Sequence, residues 1–243
     1  MHRYTIIVTA ISIVVTLPMH THLQPQSPLP ATAMTDAALD PMVEIPAGAF
    51  LMGADNGFAD ERPQKTIHVK RFLIDKYEVT NRKFQGAGMQ PMRSFGPPYA
   101  EASLPVVGVT WFQSAAYCRK TGKRLPSEAE WEKAARGADG RTFPWGNFWD
   151  PAFANDGRGP RPVGSFPRGA SPYGVHDMAG NVWEWVQDRY PLQSDAASGH
   201  ERRILRGGAW NYQAVYLRTS YRRHERPDFA EHRIGFRCAK DVP

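Results

Sequence analysis

Gly174–Asp188 reads G-V-H-D-M-A-G-N-V-W-E-W-V-Q-D, two tryptophans bracketing a glutamate directly behind a Gly-Asn step. Trp183-x-Trp185 reads as a strand segment that sends large rings into a core, and Asp-x-x-Gly-Asn in front of it reads as a turn. The same residues carry oxygen. Asp177, the main-chain carbonyls at Gly180 and Val182, and Glu184 put several hard donors within one tight turn, the donor set that calcium prefers. From these residues alone, turn and cation site are both open.

The chain has 243 residues, 42% of them apolar, enough for one domain with a sizeable core. Gly and Pro contribute 21 each, so much of the fold is expected in turns around short elements rather than in a helical bundle. The formal charge is +6, and from Glu201 onward ten Lys/Arg face five Asp/Glu. Those arginines alternate with aromatics, the pattern of ring stacking and carbonyl pairing, and no basic run of the nucleic-acid-binding kind is present. Neither a GxGxxG nor a phosphate-loop pattern occurs.

Residues 1–17 open with Met-His-Arg and continue as an apolar run of signal-peptide length, too short for a comfortable membrane span. Ala31-Thr32-Ala33 has the form of a cleavage site, and Thr21–Asp40 reads as a Pro-rich linker. Residues 1–40 are therefore expected to be an export signal or N-terminal anchor plus linker. Residues 41–243 are expected to form a domain working in the periplasm or outside the cell, touching a membrane only through an uncleaved N-terminal segment. In an oxidising compartment the even pair Cys118 and Cys238 most simply forms one disulfide; a reactive or metal-binding pair would need closer spacing.

Met42–Met52 reads as strand, turn, strand, Gly53–Pro63 as a polar loop, and Ile67–Tyr77 as one further strand. Thr80 or Asn81 caps a short helix to about Phe84. Thr110 with Gln113 and Ser127 with Glu130 are capping boxes that open helices over Trp111–Lys120 and from Ser127 to the Gly137 stop. Val163–Phe166, Ile204–Trp210 and Ile234–Ala239 read as strands.

Seven stretches in order now resemble a known family: Glu44–Gly53 (EIPAGAFLMG), Tyr77–Asn81 (YEVTN), Val109–Cys118 (VTWFQSAAYC), Gly122–Gly137 (GKRLPSEAEWEKAARG), Gly180–Asp188 (GNVWEWVQD), Leu205–Trp210 (LRGGAW) and Ile234–Ala239 (IGFRCA). Together they resemble the sulfatase-modifying factor, or formylglycine-generating enzyme, domain. The resemblance implies an irregular, loop-rich α+β fold related to the C-type lectin-like fold. It implies structural calcium on Asp177, the carbonyls of Gly180 and Val182, and Glu184, a second calcium loop at Asn155-Asp156, and a Cys118–Cys238 disulfide. It also implies two copper(I)-binding cysteines, five apart, after Gly207-Gly208. Tyr212 and Leu217 stand at those positions, and neither supplies the thiolate that copper(I) needs.

Two readings of function follow. In one, the protein is a non-classical oxidoreductase or maturation factor, as in pyoverdine-maturation relatives, whose pocket is drawn from Trp210, Tyr212, Tyr216, Arg218, Arg222 and His224, the imidazole serving as base. In the other it is a calcium-stabilised binding module for a protein or peptide partner, an accessory to a periplasmic enzyme such as a nitrite reductase. A formylglycine-generating sulfatase activator is a third class, against which the cysteine count speaks directly.

Overall fold

Local sequence signals set most element boundaries in the computed structural model, which describes residues 41–191 and 201–242. The described residues lie within one unit, and the expected export segment and linker, residues 1–40, fall outside them. Strands β1 (Met42–Ile45) and β2 (Gly48–Met52) flank the Pro-Ala break. The single strand expected over Ile67–Tyr77 is two, β3 (Lys65–Val69) and β4 (Phe72–Asp75), separated by exposed Lys70 and Arg71. The break is needed because β3 pairs with β2 as a hairpin while β4 pairs with β1 in another sheet.

Three helices follow the caps. In α1 (Asn81–Gly86) the Thr80 side chain accepts from Lys83 N. In α2 (Trp111–Lys120) and α3 (Glu128–Arg136) both capping boxes are closed: Gln113 N donates to Thr110 Oγ1 at 3.1 Å and Ser127 N to Glu130 Oε2 at 2.8 Å, each with its reciprocal bond. These bonds satisfy amides that a helix start otherwise leaves open.

The central stretch becomes β5 (Trp183–Arg189), paired antiparallel with β6 (Arg203–Arg206) and parallel with β8 (Ile234–Phe236); β7 (Arg223–Glu225) extends the sheet in the order β7-β6-β5-β8. A last strand, β9 (Ala239–Asp241), pairs with β4. The strand expected over Ile204–Trp210 stops at Arg206 because Gly207 and Gly208 take φ of 91° and 78°, left-handed values that glycine adopts without strain. The strand expected over Val163–Phe166 is a turn instead: Gly164 has φ 78°, and its amide donates to Asp177 Oδ2 at 2.7 Å.

Strand alternation sorts β5 between two cores. Trp183 and Trp185 enter one with Phe84, Tyr117, Cys118 and Phe236; Val186 enters the other with Trp131, Ala134, Ile45 and Phe72. Glu184 faces the Val186 side, where a charge has no business unless it is paired. It is paired: Arg237 Nε and Nη2 donate to its two oxygens at 2.7 Å each, and Trp131 Nε1 donates at 2.8 Å. The same guanidinium reaches the carbonyls of Asp75, Lys76 and His176. Beside it, Cys238 is joined to Cys118 across 120 residues. In the chain-entropy view a loop of that length stabilises by at most about 5 kcal/mol.

Removing one partner of a fully buried pair leaves an uncompensated charge, so Glu184→Gln is expected to lower the unfolding free energy by about 3–5 kcal/mol. Urea denaturation should give the same loss in chelator and in millimolar calcium; a loss seen only with calcium would show that Glu184 acts through the ion instead.

Candidate functional site

Beyond Gly207-Gly208 the chain folds back over β5 because the glycines allow it: a Cβ on Gly208 would lie 2.9 Å from Tyr216 O. Tyr216 closes a 3-10 turn, Ala214–Tyr216. Tyr216, Arg222 and His224 then converge with Phe58, Asp60, Tyr221 and Arg223 on a cavity of about 400 Å³. Three of its aromatic rings stand at right angles. Tyr221 meets Phe58 at 83° with centroids 5.7 Å apart, and Tyr216 at 90° and 5.2 Å. Tyr212 backs Tyr216, and Trp183 backs both Tyr212 and Tyr221, so a continuous aromatic wall runs from the core to the surface.

Three of the six expected groove residues do not line it: Tyr212 stands behind Tyr216, and two others go elsewhere. Trp210 is nearly buried beside Tyr99 and His232, in an aromatic cluster that does not line this cavity. Arg218 turns to Glu61 at 2.5 Å and lines a separate polar cavity of about 640 Å³ with Arg136, Thr142 and Asn147. Phe58, Asp60, Tyr221 and Arg223 were not named by sequence reasoning. Phe58 and Asp60 sit in the Gly53–Pro63 loop, whose acidic residues could bind a cation but whose composition reads as a solvated loop.

The arginines of the groove are not free charges. Arg222 grips Glu128 through two nitrogens, at 2.6 and 2.9 Å, and Arg223 pairs with Glu225 at 2.8 Å and Glu231 at 3.3 Å. Glu128 is itself shared with the buried Arg206, which also pairs with Glu132. His224 stacks on Tyr190 with centroids 4.0 Å apart, and its Nδ1 is buried without a hydrogen-bond partner among the described residues. Burial, helped by Arg202, holds its pKa below the usual histidine value, so the ring is neutral at pH 7. The arrangement is an aromatic surface of nearly balanced charge, suited to stacking and apolar contact rather than to capture of an anion.

The expected calcium donors are all buried. Glu184 does not fit an ion, because both its oxygens are given over to Arg237 and Trp131. Among the described residues no group of three or more His, Cys, Asp or Glu side chains is arranged to hold a metal. Asp177, at φ 60°, accepts from Gly164, and Val182 donates its amide to Glu78 Oε1 at 3.1 Å. Asn155 of the second expected loop donates to Asn181 Oδ1 at 3.0 Å rather than presenting its own oxygen there. Glu78, missed by sequence reasoning, is fully buried, and burial followed by the charges of Asp177 and Glu184 pushes its pKa well up. Burial likewise pushes Asp177 up to about 6.

A carboxyl whose folded pKa lies above its unfolded value binds protons more tightly when folded, so the stability it confers is complete below about pH 4 and lost as pH rises through about 6. Other carboxylates titrate too, and the difference between two proteins reports Asp177 together with its effect on the neighbouring Glu78. In chelator, the wild type is expected to lose about 3 kcal/mol more than Asp177→Asn between pH 4 and pH 7.5; parallel pH profiles in chemical denaturation would contradict this.

Residues 27–242 match the family described as "Sulfatase-modifying factor enzyme 1-like domain". The chain is 33% identical to the inactive C-alpha-formylglycine-generating enzyme 2 of Mus musculus, over 84% of this chain and 87% of that protein. It is 36% identical to the serine/threonine-protein kinase Pkn1 of Chlamydia trachomatis over 84% of this chain, but spans only 39% of that protein. Among solved structures, PvdO from Pseudomonas aeruginosa superposes with a TM-score of 0.68 at 29% identity, covering 83% of this chain and 94% of that one.

Proposed function

The chain belongs to the sulfatase-modifying factor enzyme 1-like family, and we propose that within it this protein is an exported binding protein whose aromatic groove holds an extended stretch of a partner polypeptide. On this reading it does not make formylglycine by thiolate chemistry. The observation that carries the reading is the fate of the two positions where the family resemblance expects copper-binding cysteines. Tyr212 is an element of the aromatic wall, and Leu217 is fully buried with Ala154 and Ala179. The remaining thiols are consumed in the Cys118–Cys238 bridge, and the sequence has two cysteines in all. The wall of Phe58, Tyr216 and Tyr221 offers large, rigid contact area at small entropic cost, as peptide-binding surfaces do. The mouse relative described as inactive supports the same direction. Export is supported by the apolar run near the N-terminus and by the disulfide.

A second reading, an oxidoreductase or maturation factor without the cysteine pair, is favoured by His224, a neutral imidazole stacked on a tyrosine at the cavity wall. It predicts turnover of a bound substrate that His224→Ala abolishes, whereas the binding reading predicts none.

Two measurements test the proposal. With a Cys-x-Pro-x-Arg peptide, copper(I) and oxygen, the peptide mass is expected to stay unchanged; the loss that marks aldehyde formation overturns the reading. In a displayed peptide library, Tyr221→Ala is expected to weaken the selected binders by about tenfold. Phe148→Ala, an exposed ring outside the groove, should leave them unchanged. Equal binding by both variants would place the binding surface elsewhere.

A further inference from the structure

The groove says something about what enters it. The rings of Phe58, Tyr216 and Tyr221 line one cavity, and aromatic faces carry negative potential. The charged groups around that cavity are nearly all used. Arg222 belongs to Glu128, Arg223 to Glu225 and Glu231, and Arg218, which lies over the outer ring of Phe58, to Glu61. His224 is neutral at pH 7. Asp60 is different: it lines the cavity and forms no ion pair with any described basic side chain. Its Oδ2 accepts the Tyr190 hydroxyl at 3.0 Å, and its main-chain oxygen accepts from Arg222, which leaves Oδ1 for a ligand.

One free carboxylate oxygen does not match the two-pronged fork of a guanidinium, but it suits a point-like ammonium. A lysine side chain also carries four methylenes that can lie along ring faces while the charged head stays near water. We infer that the cavity receives a lysine side chain of the bound polypeptide, its methylenes against Phe58, Tyr216 and Tyr221 and its ammonium at Asp60 Oδ1. An anionic side chain would find no unpaired cation there, and a neutral aliphatic one would leave Asp60 without a partner. The inference rests on the peptide-binding reading of the groove and adds the residue class that the groove selects.

The test uses the full chain and three capped pentapeptides, Gly-Gly-X-Gly-Gly, in which X is lysine, norleucine or glutamate, compared by NMR titration at constant ionic strength. The lysine peptide is expected to bind at least about tenfold more tightly than the norleucine peptide, the scale of a cation held by rings and a carboxylate. Asp60→Asn, which keeps an acceptor for Tyr190, should erase that preference. Tyr221→Leu should weaken the lysine peptide. Equal binding of lysine and norleucine, preference for glutamate, or a lysine preference that survives Asp60→Asn would each overturn the inference. Library binders that depend on Tyr221 but lack lysine would overturn it while leaving the groove reading intact, whereas failure of every peptide would remove both.

Discussion

A carboxylate and a guanidinium with no access to water hold this fold in register. Glu184 on β5 and Arg237 between β8 and β9 meet through two short bonds, and Trp131 of α3 completes the carboxylate. The guanidinium gives its remaining donors to carbonyls at the end of β4 (Asp75), just after it (Lys76) and ahead of β5 (His176). Three elements distant in sequence are thereby fixed at one point. The pair is not a large source of stability compared with an apolar replacement, since desolvation offsets most of the attraction. What it contributes is specificity, because any other register of β5 would bury Glu184 against hydrocarbon without a partner.

That fixed frame makes the groove possible. With β5 held, Trp183 faces outward through the first core toward Tyr212 and Tyr221, and the Gly207-Gly208 step lets the following segment lie across it. The same segment is rich in arginine, yet the groove is not basic. Glu61 and Glu128 from earlier in the chain, and Glu225 and Glu231 from the segment itself, neutralise it. Charge counted along the sequence therefore gives the wrong picture of charge at the surface, where the arginines serve mainly as planar, paired linkers between loops.

The helices and the disulfide were legible in the sequence because their causes are local or few. Capping boxes at Thr110 and Ser127 define α2 and α3, and two cysteines allow one bridge. The resemblance over seven stretches supplied the α+β, loop-rich fold. What was not legible depends on long-range partners. The break at Lys70-Arg71 reflects two sheets competing for adjacent strands, and Val163–Phe166 is a turn because Asp177, thirteen residues from Gly164, captures its amide. For the cavity, Tyr216, Arg222 and His224 were reached by reading onward from the Gly-Gly step, with Tyr212 behind them. Phe58 and Asp60 come from a loop more than a hundred and fifty residues earlier, and no periodicity links the two.

The position of Arg237 and Cys238 in the chain also bears on when the domain can close. Residues 234–241 provide β8, the guanidinium at the centre, one half of the disulfide and β9, the third strand of the first sheet. They follow nearly every other part of the domain, so a growing polypeptide reaches its last strands with Glu184 still unpaired and Cys118 still reduced. Until residues 234–241 are in place, neither the carboxylate at the centre of the two cores nor the Cys118 thiol has its native partner. One short segment therefore joins both sheets and both cores at once, and the Cys118–Cys238 bond ties it there covalently.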